Sequence, residues 1–121
     1  MIRFKDGLTI GSNSPIRVNC NVGCNSKTDI ESELSKLKFI QSCNELPDMM
    51  MDLSLIELEY PLYKYIKDKL GIPFGVVLSY RRFTKSKGYQ WKDIRNVFLQ
   101  LCNDGVSFIT IHFTADLDLF Y

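Results

Sequence analysis

Four stretches of this chain carry the apolar pattern of strands, and each closes on polar side chains. The first, Ile16-Arg17-Val18-Asn19-Cys20-Asn21-Val22, alternates strictly. Val18, Cys20 and Val22 share one face, and Arg17, Asn19 and Asn21 share the other. The second, Met49-Met50-Met51-Asp52-Leu53, follows a break at Pro47 and runs on to Ser54. The third, Phe74-Gly75-Val76-Val77-Leu78, closes on Ser79 and Tyr80. The fourth spans residues 106–113 and contains the only histidine, His112.

Helical spacing fills the intervals. Thr28-Asp29-Ile30-Glu31 has the form of a capping box, after which Ile30, Leu34, Leu37 and Ile40 recur on one face. Glu31, Glu33, Lys36 and Lys38 fall mostly on the wet side. Pro61 suits the first turn of a second helix with a buried stripe of Leu62, Ile66 and Leu70. Gly71 fits its C-terminal cap and Pro73 its stop. A third helix over residues 91–102 turns Ile94, Val97, Phe98 and Leu101 inward, and Asn103-Asp104-Gly105 ends it. Tyr60, Tyr63 and Tyr65 are expected to cover a helix face. Ahead of all this, residues 1–5 and 8–10 alternate around Asp6-Gly7. That pair suits a two-residue type I′ turn and predicts a β-hairpin.

Strand starts recur about every 25 to 35 residues, the length of one right-handed βαβ step. The expected fold is therefore α/β: an N-terminal β-hairpin and loop over residues 1–15, then a βαβαβαβ parallel unit over residues 16–121. Ligands and catalytic groups gather at the carboxyl ends of strands in such folds, which makes the polar strand ends the candidate site.

Composition narrows the function classes. The 121 residues are 45% hydrophobic and 24% charged, with a net charge of +1, so no global field points to nucleic acid or a membrane surface. The start has no apolar h-region and no apolar run reaches about eighteen residues, so neither a signal peptide nor a membrane span is expected. The expected location is cytoplasmic. Cys20, Cys24, Cys43 and Cys102 form no Cys-x-x-Cys pair and read as small buried or loop thiols. The basic segment over residues 81–87 lacks a glycine-rich cradle and reads as a solvated loop. Asp52 alternates to the face opposite Met51, which predicts a structural hydrogen-bonding role.

Aligned at its strand ends, the sequence resembles phosphomethylpyrimidine synthase, the pyrimidine-forming enzyme family of thiamine biosynthesis. Val18-Asn19-Cys20-Asn21-Val22-Gly23 is close to that family's Asn-Ala-Asn-Ile-Gly strand, and residues 29–36 resemble its first helix. Met51-Asp52-Leu53-Ser54 is identical to its second strand end. Pro73-Phe74-Gly75-Val76-Val77-Leu78-Ser79-Tyr80 follows Pro-Ile-Gly-Thr-Val-Pro-Ile-Tyr. Gly105-Val106-Ser107-Phe108-Ile109-Thr110-Ile111-His112 follows Gly-Val-Asp-Tyr-Phe-Thr-Ile-His.

The resemblance implies a partial (β/α)₈ barrel, the N-terminal half of one. It also implies an ancestry in the rearrangement of aminoimidazole ribotide to hydroxymethylpyrimidine phosphate, a radical lyase reaction using S-adenosylmethionine, a [4Fe–4S] cluster and a divalent metal. Carried over residue by residue, the substrate contacts are Asn21, with Asn19 as the competing choice, Met51, Tyr80 and His112. Amides and an imidazole can hydrogen-bond ring nitrogens and ribose hydroxyls, Met51 offers a polarisable contact to a flat heterocycle, and Tyr80 can pack on a ring.

The departures matter as much. Leu55-Ile56-Glu57 replaces the family's Thr-Gly-Gly, and Arg81-Arg82 replaces Gln-Ala. The chain stops soon after the fourth strand, where a closed barrel needs ~250 residues. The family's metal-binding histidines and C-terminal cysteine motif have no counterpart here, so the chain is expected to hold no cofactor alone. Exposed sheet edges and an open apolar face predict a homo-oligomer, or a complementing chain that supplies the other half. A non-catalytic metabolite-binding or assembly module, or a degenerate fragment, are the alternative readings.

Overall fold

The computed structural model describes residues 1–78 and 91–111. Its fold is α/β, with an antiparallel two-strand hairpin followed by four parallel strands alternating with helices. The hairpin pairs β1 (Ile2–Arg3) with β2 (Thr9–Ile10), Ile2 facing Ile10 and Arg3 facing Thr9. Then come β3 (Asn19–Val22), α1 (Ile30–Ser42), β4 (Met49–Asp52), α2 (Leu62–Tyr65), β5 (Phe74–Val77), α3 (Trp91–Asn103) and β6 (Phe108–Thr110). The parallel strands lie in chain order, β3-β4-β5-β6. No helix among the described residues is long and apolar enough to cross a membrane.

The core lies on one face of the sheet. Val22, Met50, Phe74 and Val76 point there and are covered by Leu37 of α1, Leu62, Tyr63 and Ile66 of the second helical segment, and Leu101 of α3. Burial of these side chains contributes roughly 1.5–3 kcal/mol each against the entropy of ordering the chain. Tyr63 is fully buried, stacks on Phe74 with centroids 5.0 Å apart, and donates its hydroxyl to Asp104 Oδ2 at 2.6 Å. It is therefore core, whereas Tyr60 and Tyr65 stay nearer the surface and bond Asp68 and Gln41. Phe98, expected inward, is 43% exposed, because the core contacts of α3 run through Leu101 and Val97.

Local chemistry shifts several element boundaries. The first turn is not type I′. Phe4 N–H bonds Leu8 O and Gly7 N–H bonds Phe4 O, which leaves a three-residue loop with only Gly7 at positive φ. Asp6 bonds Leu8 N–H from a negative φ, so the turn needs one left-handed residue rather than two. The helical cap lies two residues before the expected box. Ser26-x-x-Asp29 opens a 3₁₀ turn (Lys27–Asp29) leading into α1, and Asp29 Oδ2 accepts from the N–H groups of Asn25 and Ser26. Glu33 is buried, bonded to Lys36 Nζ at 2.7 Å and within 3.4 Å of Gly23 N. Pro61 stands at the N-cap of α2, one place outside the helix, with ψ 145. From Ile66 to Leu70 the helix widens to a π turn and ends at Gly71, whose φ of 66 is left-handed.

The hairpin lies against the N-terminal part of the sheet. Arg17 Nε donates to Thr9 O at 2.9 Å, and Phe4 stacks on Phe108 with centroids 5.7 Å apart. Arg17 also pairs with Asp48, whose Oδ2 accepts from Val18 N–H at 2.8 Å.

Candidate functional site

The sheet face opposite the core carries the site residues that the strand alternation assigns to it. Asn21 is in register with Met51, Met51 with Gly75, and Gly75 with Phe108. Asn19 is in register with Met49. Both asparagines are exposed, and both methionines are half-buried. Asn19 Nδ2 donates to Asn21 Oδ1 at 2.8 Å. The bond joins the two amides into one unit. It leaves the Asn21 NH₂ free to donate and the Asn19 carbonyl free to accept, so a ligand on this face meets a donor and an acceptor side by side.

Tyr80 and His112, expected among the substrate contacts, lie outside the described residues, as do Ser79 and the basic segment over residues 81–87. The structure brings together Asn19, Asn21 and Met51.

What holds Met51 in place is its neighbour. Asp52 turns to the opposite face and is 6% exposed. Its Oδ1 accepts from the Ser54 N–H at 3.0 Å and from the Ser54 hydroxyl, and its Oδ2 accepts from Tyr63 N–H at 3.1 Å. That last bond satisfies an unpaired donor in the first turn of α2, so a strand residue caps the helix that follows it. Ser54 Oγ in turn accepts from Cys24 N–H at 3.1 Å, tying the loop after β3 to the loop after β4. Leu53 N–H to Val22 O and Leu55 N–H to Cys24 O continue this pairing past the strand ends.

Gly23 is required by that close approach. A Cβ there would stand 2.8 Å from the Leu53 carbonyl carbon and 3.1 Å from Ser54 N, both backbone atoms. The asparagine strand and the Met-Asp-Leu-Ser strand end are thus physically interlocked. One supplies the glycine, the other the serine and aspartate.

Two residues of this face escaped the sequence reading. Phe108 lies over Gly75, and Phe4 stacks on Phe108 from the hairpin. The rings thus stack over Gly75 on this face, while the amide pair on β3 is exposed. An isolated glycine within an apolar strand was the available signal, since it marks a place where another group comes close.

The four cysteines are free and dispersed. Cys24 is buried, Cys20 half-buried, and Cys43 and Cys102 exposed. Burial, reinforced by the charges of Glu33, Asp52 and Asp29, pushes the Cys24 thiol above its ordinary pKa. It stays protonated at neutral pH. Alkylation with iodoacetamide at neutral pH, followed by peptide mapping, is expected to label Cys43 and Cys102 while Cys24 reacts only on unfolding. Among the described residues no group of three or more His, Cys, Asp or Glu side chains could hold a metal ion. These cysteines do not fit an iron–sulfur cluster, since their placement offers no common centre.

Comparison with known protein families gives a match over residues 2–120 to the model described as the radical SAM ThiC family. The match takes in the hairpin and all four parallel strands.

Proposed function

The chain belongs to the radical SAM ThiC family, the phosphomethylpyrimidine synthases, and on that premise we propose that its polar sheet face is one wall of an aminoimidazole ribotide site. The observation that carries this reading is the in-register pair Asn21 and Met51, with Asn19 bonded to Asn21, on the face left clear of the core. Asn21 donates to a ring nitrogen or ribose oxygen, Asn19 accepts from an amine or hydroxyl, and Met51 packs on the flat heterocycle. Tyr80 and His112 complete the set of contacts by their place in the family motifs. The chain binds rather than converts on its own, since Leu55-Ile56-Glu57 stands where the family has a glycine loop and no cluster ligands are assembled among the described residues.

The opposite wall comes from a second copy of this chain or from a complementing chain. β3 and β6 are the edges of the four-stranded sheet, and exposed strand edges favour pairing. Light scattering is expected to show an oligomer, and a stable monomer at about micromolar concentration contradicts that part of the reading.

Calorimetric titration with the ribotide tests the binding claim. Saturable binding is expected, weakened about tenfold or more in His112→Ala, the loss of one or two hydrogen bonds in a desolvated site. No binding, or equal binding by the variant, counts against it.

A further inference from the structure

A second cleft lies at the other end of the sheet, where β5 and β6 begin. It has a volume of about 310 Å³ and opens between the hairpin tip and the loops that follow the second and third helical segments. That is the lower end of the size range of small-molecule sites. Its walls divide by chemistry. Ile72 and Val106 supply an apolar side, while Lys5, Asp6, Lys67 and the exposed thiol of Cys102 line the rest.

The charge in this cleft is unbalanced. Lys67 Nζ donates to the backbone oxygen of Asp104 at 2.7 Å, which leaves two of its three protons unused. Neither Lys5 nor Lys67 has a carboxylate within ion-pair distance among the described residues. The one acidic side chain in the lining, Asp6, accepts from Leu8 N–H at Oδ1 in the hairpin turn and keeps its charge, so the lining carries two positive charges against one negative. Gly71 and Gly105, both at positive φ, keep the loops tight, and Lys67 lies within van der Waals reach of Gly105.

We infer that this cleft binds a small organic anion, a phosphate monoester with a flat apolar body, with its charged end at Lys5 and Lys67 and its body against Ile72 and Val106. An apolar wall beside two ammonium groups and a single carboxylate, a lining of net positive charge, suits that amphipathic shape, and a fully solvated anion gains less from it than one that also buries a ring. The inference is independent of the ribotide reading, which concerns the carboxyl ends of the strands.

Phenyl phosphate is the probe, with phenol and inorganic phosphate as the partial probes. Cys102 reports occupancy through its alkylation rate in a Cys43→Ser chain, and calorimetry reports affinity. Saturable binding of phenyl phosphate at about millimolar concentration or tighter is expected, with slower alkylation of Cys102. Lys5→Ala combined with Lys67→Ala is expected to weaken binding at least about tenfold, with an unchanged circular dichroism spectrum. Phenol and inorganic phosphate each protect Cys102 less than the ester does. The proposal is overturned if phenyl phosphate shows no saturable binding, if phenol protects as well, or if the double variant binds as tightly as the parent chain.

Discussion

Asp52→Ala is expected to cost about 3–4 kcal/mol of stability, read as a shift of the urea midpoint without a change in slope. The carboxylate is buried and receives the Ser54 N–H, the Ser54 hydroxyl and the Tyr63 N–H. Alanine leaves those donors without an acceptor in a place water does not reach, and unsatisfied buried donors cost more than the bonds contribute. The loss also uncaps α2. Asp52→Asn separates charge from shape. One of its polar atoms can still accept, but its NH₂ would oppose a donor on one side, so about half the loss is expected. A variant within about 0.5 kcal/mol of the parent, the range of ordinary surface changes, would show that Asp52 does not anchor the strand end.

The second large effect is expected from Gly75→Ala. A Cβ there would overlap the Cδ2, Cε2 and Cζ edge of the Phe108 ring, so the ring must leave its place over β5. Phe4, stacked on Phe108, loses its partner, and with it goes an apolar link between the hairpin and the sheet. The cost is about 2 kcal/mol, combining overpacking with the lost aromatic pair. Phe108→Ala should relieve the clash, so the double variant is expected to be more stable than the sum of the single losses predicts. Such coupling is the signature of two side chains competing for one space, and strict additivity would contradict the packing described.

The sequence made the framework legible where one physical constraint dominated. Alternation in residues 16–22 separated Asn19 and Asn21 from Cys20 and Val22, and the structure keeps them on opposite faces. The same rule set Met51 against Asp52. Parallel order followed from the spacing of the strands, because each crossover needs room for a helix.

Where two local solutions competed, the sequence alone did not decide. Thr28-x-x-Glu31 and Ser26-x-x-Asp29 both have the form of a cap, and the earlier one prevails because Asp29 reaches two N–H groups at once. Glu33 fits the polar side of α1 by spacing, yet it is buried against Lys36 and the Gly23 backbone, a contact set by the loop after β3. Spacing groups Tyr63 with Tyr60 and Tyr65 over a helix face, yet it is fully buried and donates its hydroxyl to Asp104, 41 residues away. Long-range partners of this kind leave no mark on local periodicity. Of the candidate site, Asn19, Asn21 and Met51 are placed together, and Tyr80 and His112 stand outside the described residues.

The central claim is that the amide pair on β3 is a ligand-binding surface. Its most direct test is nuclear magnetic resonance of the side-chain amide groups during titration with aminoimidazole ribotide. Saturable shifts of the Asn21 and Asn19 NH₂ signals and of the Met51 methyl are expected. Core signals such as those of Leu37 and Leu101 should stay in place. Unmoved amide signals at saturating ribotide, or shifts confined to residues away from this face, would contradict it.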